Sequence, residues 1–181
     1  MNPFKLIDKY YKQGSRARYM LIEHSRLVTQ KALEMARRVK HLNPDTEFIR
    51  RAAMLHDIGI MFTNAPGIGC FGEADYVCHG HLGAELLKKE GLQGCARVCE
   101  THVGVGLSVK DIMSQRIPIP KKDMVPTSLE EQIICFADKF FSKNPATLYE
   151  RRPFEKIKKE ISCYGRKKGE KLEEWARLFG K

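Results

Sequence analysis

Histidine and aspartate are the side chains in this sequence able to do chemistry, and six of them fall where helical periodicity turns them inward. From about residue 15 to 40, Leu21, His24, Val28, Ala32, Met35 and Val39 recur every three or four positions, one stripe of a helix with His24 inside it. Phe48, Ala52, Leu55, His56 and Gly59 form the next stripe, so His56 faces the core and Asp57 lies one residue further round the same helix. His79 opens a helix continued by Leu82, Gly83, Leu86 and Leu87, and Cys95, Val98, Cys99 and His102 make another stripe, closed by glycines 104 and 106. Ile134, Ala137, Asp138 and Phe141 share a face, which puts a carboxylate among apolar neighbours.

A single inward histidine is ordinarily a hydrogen-bonded core residue, and a single buried aspartate an ion-paired one. Four imidazoles and two carboxylates arriving from five predicted helices are costly to bury without partners, and a cation that they surround removes the cost. Mixed imidazole and carboxylate donors suit Fe, Mn, Co, Ni or Zn better than Mg or Ca, and six ligands are enough for two ions. His81, two residues after His79, projects about 200° away around the helix and is expected to miss that metal, leaving it a weak substrate contact. His41, beside Asn43-Pro44, is expected in solvent.

The elements that must position these groups read as an all-α bundle, with no alternating strand pattern and no internal repeat. Asn43-Pro44 supplies a helix start. Residues 60–78, rich in glycine yet apolar, read as a long loop forming a wall or lid over the site. A proline-bearing loop with Pro118, Pro120 and Pro126 leads to Ser128-Leu-Glu-Glu131, which has the form of a capping box. Two packing helices follow, near 154–164 and 168–179.

The 181 residues suit one domain, residues 1–181, with a core over 15–143 and a basic helical extension over 144–181. The net charge of +10 is concentrated at the two ends, around an acidic middle. A basic surface attracts polyanions, but no helix-turn-helix, zinc finger or aromatic-interleaved basic strip is visible. No run is apolar enough for a membrane helix or a secretory signal, so a cytoplasmic address is expected. The six cysteines lack a Cys-x-x-Cys pair and read as reduced thiols, Cys95 and Cys99 as small core residues.

The run Leu55-His56-Asp57-Ile58-Gly59, with His24 before it and Asp138 after it, resembles the H…HD…D signature of the HD-domain metal-dependent phosphohydrolases. His79-Gly-His-Leu-Gly83-Ala and His102 resemble the two further histidines of the subset with dinuclear centres, which includes HD-GYP phosphodiesterases. The resemblance covers about residues 15–143 and implies an HD-domain-like helical bundle. It also implies one divalent transition metal, Fe or Mn favoured, on His24, His56, Asp57 and Asp138, and a second on His79 and His102 bridged by Asp57. The implied reaction is hydrolysis of a nucleotide or other small phosphoester by metal-bound hydroxide, with Asp57 and Asp138 as catalytic carboxylates.

Two departures bear on substrate. Many relatives carry a phosphate-contacting lysine after the motif where this chain has Ile60, and no Gly-Tyr-Pro follows His102, so a cyclic dinucleotide is not supported. Lys139, Lys143 and Arg18 are the candidate phosphate contacts. Lys139, adjacent to Asp138, is expected to reach most directly and Lys143 less so. The same ligands could instead form a diiron oxygenase, and a basic nucleic-acid-binding or regulatory module without catalysis is the remaining alternative.

Overall fold

The computed structural model describes residues 2–181 and is all-α apart from one short ribbon. Local capping explains where most helices begin. Helix α1 (Pro3–Tyr10) starts with the Asn2 side chain accepting from the Phe4 N–H. Helix α2 (Arg16–Arg38) starts with Ser15 accepting from the Arg18 N–H. Along its 23 residues α2 buries Leu21, His24, Val28, Ala32 and Met35 on one face, the stripe expected from the sequence, and Met20 beside it.

Helix α3 (Thr46–Leu55) is capped by Asp45, whose carboxylate accepts from the Phe48 N–H at 2.8 Å. Asn43-Pro44 therefore lies ahead of the helix start; Asn43, left-handed at φ 52°, ends a 3-10 turn over Lys40–Leu42. A larger correction falls at the other end. The helix stops at Leu55, His56 is its C-cap, and Asp57 (φ −107°, ψ 10°) leads into a 3-10 turn over Ile58–Phe62. Asp57 is thus not on the helix, and its direction comes from the turn.

Helix α4 (His79–Lys89) packs directly against the turn that follows α3. Gly59 lies so close to α4 that a Cβ there would sit 2.2 Å from the His79 carbonyl oxygen and 2.4 Å from the Gly83 nitrogen, both backbone atoms. Gly59→Ala is accordingly expected to destabilise the fold by about 3 kcal/mol, a fall of roughly 6–12 °C in Tm. A thermal melt within 2 °C of the parent, on the order of experimental scatter, would show that the two backbones separate easily.

Residues 60–78, expected as an irregular loop, contain strands β1 (Asn64–Ala65) and β2 (Cys70–Phe71), antiparallel with Asn64 opposite Phe71 and Ala65 opposite Cys70. Two-residue strands are too short to show alternation in a sequence. The loop is anchored rather than free: the Tyr11 hydroxyl donates to the Ile58 carbonyl at 2.7 Å and accepts from the Met61 N–H. Ile60 is fully buried in the core.

The chain continues through α5 (Gln93–Thr101), α6 (Val109–Ser114), α7 (Leu129–Asp138), α8 (Phe154–Ser162) and α9 (Arg166–Phe179). The reciprocal capping box occurs at Ser108 and Asp111, opening α6, which the sequence reading passed over as loop. At Ser128 only half of the expected box forms: the Ser128 hydroxyl accepts from the Glu131 N–H, while the Glu131 carboxylate takes the Thr127 N–H. One contiguous apolar core runs from Leu6 on α1 to Phe179 on α9. The Phe136 ring on α7 packs against Phe140, Phe154, Trp175 and Phe179. All six cysteines are free, and all but Cys163 are buried. No helix among the described residues is long and apolar enough to cross a membrane.

Candidate metal centre

The six inward residues meet at one place. His24 comes from the middle of α2, whereas His56 caps α3, His79 opens α4, His102 caps α5 and Asp138 ends α7, so helix termini converge on the point that α2 passes. All six are buried, with His24, His56 and Asp57 at zero exposure.

Hydrogen bonds settle which way the rings point. Nδ1 of His56, His79 and His102 lies 2.7, 2.5 and 2.7 Å from the carbonyl oxygens of Ala53, Tyr76 and Cys99, each three residues back. A carbonyl only accepts, so Nδ1 carries a proton in each ring, and Nε2 is the inward nitrogen left to bind a cation. Such outer bonds are the usual means of orienting metal-ligating histidines. His24 points Nε2 inward as well, 2.9 Å from Asp138 Oδ1, and its buried Nδ1 has no partner.

The inward nitrogens then face one another. His79 Nε2 and His102 Nε2 lie 3.0 Å apart, and in the neutral Nδ1–H tautomer neither carries a proton. Asp57 Oδ2 is 3.3 Å from His24 Nε2 and 3.1 Å from His56 Nε2, while Oδ1 is 3.2 Å from His79 Nε2 and 3.3 Å from His102 Nε2. Despite complete burial, neither Asp57 oxygen nor His56 Nε2 has a well-directed hydrogen bond. Donor atoms that converge on a common point but do not satisfy one another fit a cation between them. The residues divide into His24, His56, Asp57 and Asp138 on one side and Asp57, His79 and His102 on the other.

The local charges are strongly coupled. Burial opposes ionisation of Asp57, yet His56 and Lys143 hold its carboxyl well below the usual range. Asp138 is held low in the same way by Lys139, Lys143, His24 and His56. Burial disfavours a charged His56, but the two carboxylates outweigh it and raise the imidazole to about 9. His102, farther from Asp138, is lowered to about 4 by burial and by the neighbouring His56 and His79.

The sign for metal uptake follows directly. Below pH 9 a cation at the His56 side must displace a proton, so affinity there should rise by about tenfold per pH unit from pH 6 to 8. His102 is already neutral in that range and adds no proton release. Metal titrations at pH 6, 7 and 8 check this, and a flat affinity would contradict it.

The three candidate phosphate contacts separate. Lys143 Nζ lies 2.6 Å from Asp57 Oδ2 with its side chain 14% exposed. Lys139 Nζ lies 2.7 Å from Asp138 Oδ2 and donates to the His102 carbonyl at 3.0 Å. Helical rotation past Asp138 had placed Lys143 as the less direct of the two, but α7 ends at Asp138 and the chain unwinds, which carries Lys143 back over the centre. Arg18 is not brought there: its guanidinium donates to Asp8 at 3.0 and 2.7 Å, at the α1–α2 corner.

His81 turns away as expected and gathers with Glu85 and Glu100. Lys122 lies 2.6 Å from Glu100 and Lys88 2.9 Å from Glu85, so lysines already neutralise that cluster. His41 is exposed. Tyr76 is a site residue that sequence reasoning missed. Its ring lies 4.7 Å from that of His79, with the Lys143 ammonium 5.9 Å from its centroid. Tyr76 sits three residues before His79, but in an aperiodic segment nothing announced that it would turn onto that ring.

Fold and site together define a helical protein built around a buried His/Asp metal centre. The chain belongs to the HD-domain family, whose pattern it matches over residues 21–142. Among curated relatives, uncharacterized protein MJ0778 of Methanocaldococcus jannaschii is 31% identical over 121 residues, 65% of this chain and 64% of that protein. The tRNA (cytidine(56)-2'-O)-methyltransferase of Thermoplasma volcanium is 31% identical over 137 residues, 75% of this chain and 35% of that one. The enzyme of the same name from Picrophilus torridus is 32% identical over 124 residues, 68% of this chain and 32% of that one. The matched region thus spans about two thirds of the first relative and about a third of the two methyltransferases. In fold, the chain is similar to the HD domain of the L. monocytogenes phosphodiesterase PgpH at TM-score 0.51 and 17% identity, over 88% of this chain and 82% of that one. The cyclic-di-AMP complex of the same domain matches at TM-score 0.55 and 16% identity, over 98% and 87%.

Proposed function

We propose that the chain is a metal-dependent phosphohydrolase with a dinuclear centre, acting on a nucleotide or other small phosphoester. The observation that carries this reading is the division of Asp57, one oxygen directed to His24 and His56 and the other to His79 and His102. A carboxylate shared in that way suits a bridge between two cations. Two such ions, drawn from the Fe, Mn, Co, Ni or Zn that the mixed donor set suits, with Fe or Mn favoured by the family resemblance, would supply Lewis acidity toward phosphoryl oxygens and an acidified water.

The protein's own groups do the rest. Asp57 and Asp138 stay ionised and supply the anionic oxygens that a cation would need. Lys139 occupies Asp138 Oδ2, which leaves Oδ1 toward His24 and His56 and fixes the rotamer. The Lys143 ammonium, 2.6 Å from Asp57 Oδ2, is placed where it could give a charge-assisted contact to a phosphate oxygen of a bound substrate. This replaces the contact that Ile60 cannot make from inside the core. The Tyr76 hydroxyl, raised to about 12 by desolvation, stays protonated and able to donate.

The PgpH HD domain was crystallised with cyclic-di-AMP, which supports a nucleotide as ligand class. This chain lacks a Gly-Tyr-Pro segment after His102, which favours a linear nucleotide. The test is to purify the protein without added metal, measure bound metals by mass spectrometry, and screen for phosphate release from nucleotides and phosphomonoesters. Two equivalents of transition metal with chelator-sensitive turnover are expected. Metal-loaded protein that releases phosphate from none of these substrates would overturn the reading.

A further inference from the structure

We propose that a second surface, lined by none of the six residues of the metal centre, binds single-stranded nucleic acid along its phosphate backbone. The surface is a groove of about 590 Å³ between α6, the start of α9 and the turn at residues 104–108. Five of its lining residues are cations, Lys110, Arg166, Lys167, Lys168 and Lys171, against the single carboxylate Asp111.

That carboxylate is already used. Lys168 Nζ lies 2.8 Å from Asp111 Oδ2 and 2.8 Å from the Gly106 carbonyl, a bond pair that fixes the groove wall. Arg166 pairs with Glu170 at 3.4 Å and Lys171 with Glu174 at 3.1 Å along α9, both at the exposed surface, whereas Lys110 and Lys167 pair with no carboxylate among the described residues. Like charges held along a concave wall repel one another, and a polyanion threaded between them relieves that repulsion.

An aromatic residue decides which polyanion. Tyr164, 63% exposed, stands between this groove and an apolar slot of 180 Å³ lined by Val103, Leu107, Ile117 and Ile161. Lys168 and Tyr164 line both cavities, so the groove and the slot adjoin. A phosphate track beside an aromatic face and an apolar slot is the arrangement that takes a strand with unstacked bases; a mineral polyphosphate or an acidic peptide would use the cations alone. No sequence motif marks it, because α6 and α9 are more than fifty residues apart in the chain.

The experiment is fluorescence anisotropy of the full chain with a labelled 12-nucleotide single-stranded RNA in EDTA, so that binding does not depend on the metal centre. Binding is expected at low salt, weakening by about tenfold or more between 50 and 200 mM salt. The double variant Lys110→Glu/Lys167→Glu should lose at least about tenfold in affinity. Tyr164→Ala should lose about tenfold for the strand while leaving heparin binding unchanged. Thermal melts confirm that the variants, which alter exposed side chains, stay folded. No binding, or equal binding by the double variant, overturns the proposal. Equal loss for heparin and RNA in Tyr164→Ala, or preference for an acidic peptide, also overturns it in favour of generic anion or protein binding. Metal content and turnover are measured on the same samples, so a failure of the hydrolase reading is seen separately.

Discussion

Asp57→Asn is expected to strip the protein of both metal ions, and His102→Ala chiefly of one. An asparagine offers a single carbonyl oxygen and no charge, and its amide nitrogen would face one of the two imidazole pairs that Asp57 now addresses. Whichever way the amide turns, one ion meets N–H groups and the other has lost the negative charge that made the site attractive. Removing His102 takes a terminal donor from the Asp57, His79 and His102 side and leaves His24, His56 and Asp138 in place. Phosphoester turnover should fall by about a thousandfold or more in Asp57→Asn, because the acidified water and the charge neutralisation go together. Metal-to-protein ratios on the two purified variants decide the matter. Equal loss in both would mean a single ion or a site that fills all at once.

Much of this centre was legible in the sequence because helical periodicity names the buried side of a residue even where the helix is about to end. His24 lies within a long regular helix, so its direction followed from spacing alone. His56, His102 and Asp138 sit on the last turn or just past it, where the extrapolated stripe still holds. What spacing cannot supply is the backbone beyond a helix end. Asp57 is aimed by a turn in which Gly59 packs against the α4 backbone, a tertiary contact that spacing does not reveal. Lys143 and Tyr76 reach the centre through segments without period, and α6 was hidden in a loop although Ser108 and Asp111 carried its cap in plain view. The ribbon of β1 and β2 is too short to leave a pattern.

Lys143→Ala should lower kcat/KM for a phosphorylated substrate by about ten- to a hundredfold with metal content unchanged, the range for losing one hydrogen bond to a charged group. Lys139→Ala should act differently. Lys139 is tied to Asp138 and the His102 carbonyl, so its loss loosens two metal-binding positions and should reduce bound metal before it alters substrate affinity. Measuring metal stoichiometry beside kinetics separates the two roles. The sequence favours Lys139 as the phosphate contact and the geometry favours Lys143. Should Lys139→Ala keep its metal and show the larger loss of kcat/KM, the assignment reverts to Lys139.

The wall behind Asp138 bears on how such a unit can be moved between proteins. The pattern shared with the family ends at residue 142, yet α7 is held from behind by Trp175 and Phe179 on α9, with the indole N–H donating to Gln132 at 3.0 Å. A segment excised at the family boundary would leave Phe136 facing water on the side that steadies Asp138. Transplanting the centre into a different chain therefore requires a replacement for that backing, drawn from whatever follows it there. The portable unit is larger than the span of its chemistry, and its outer border is set by aromatic packing.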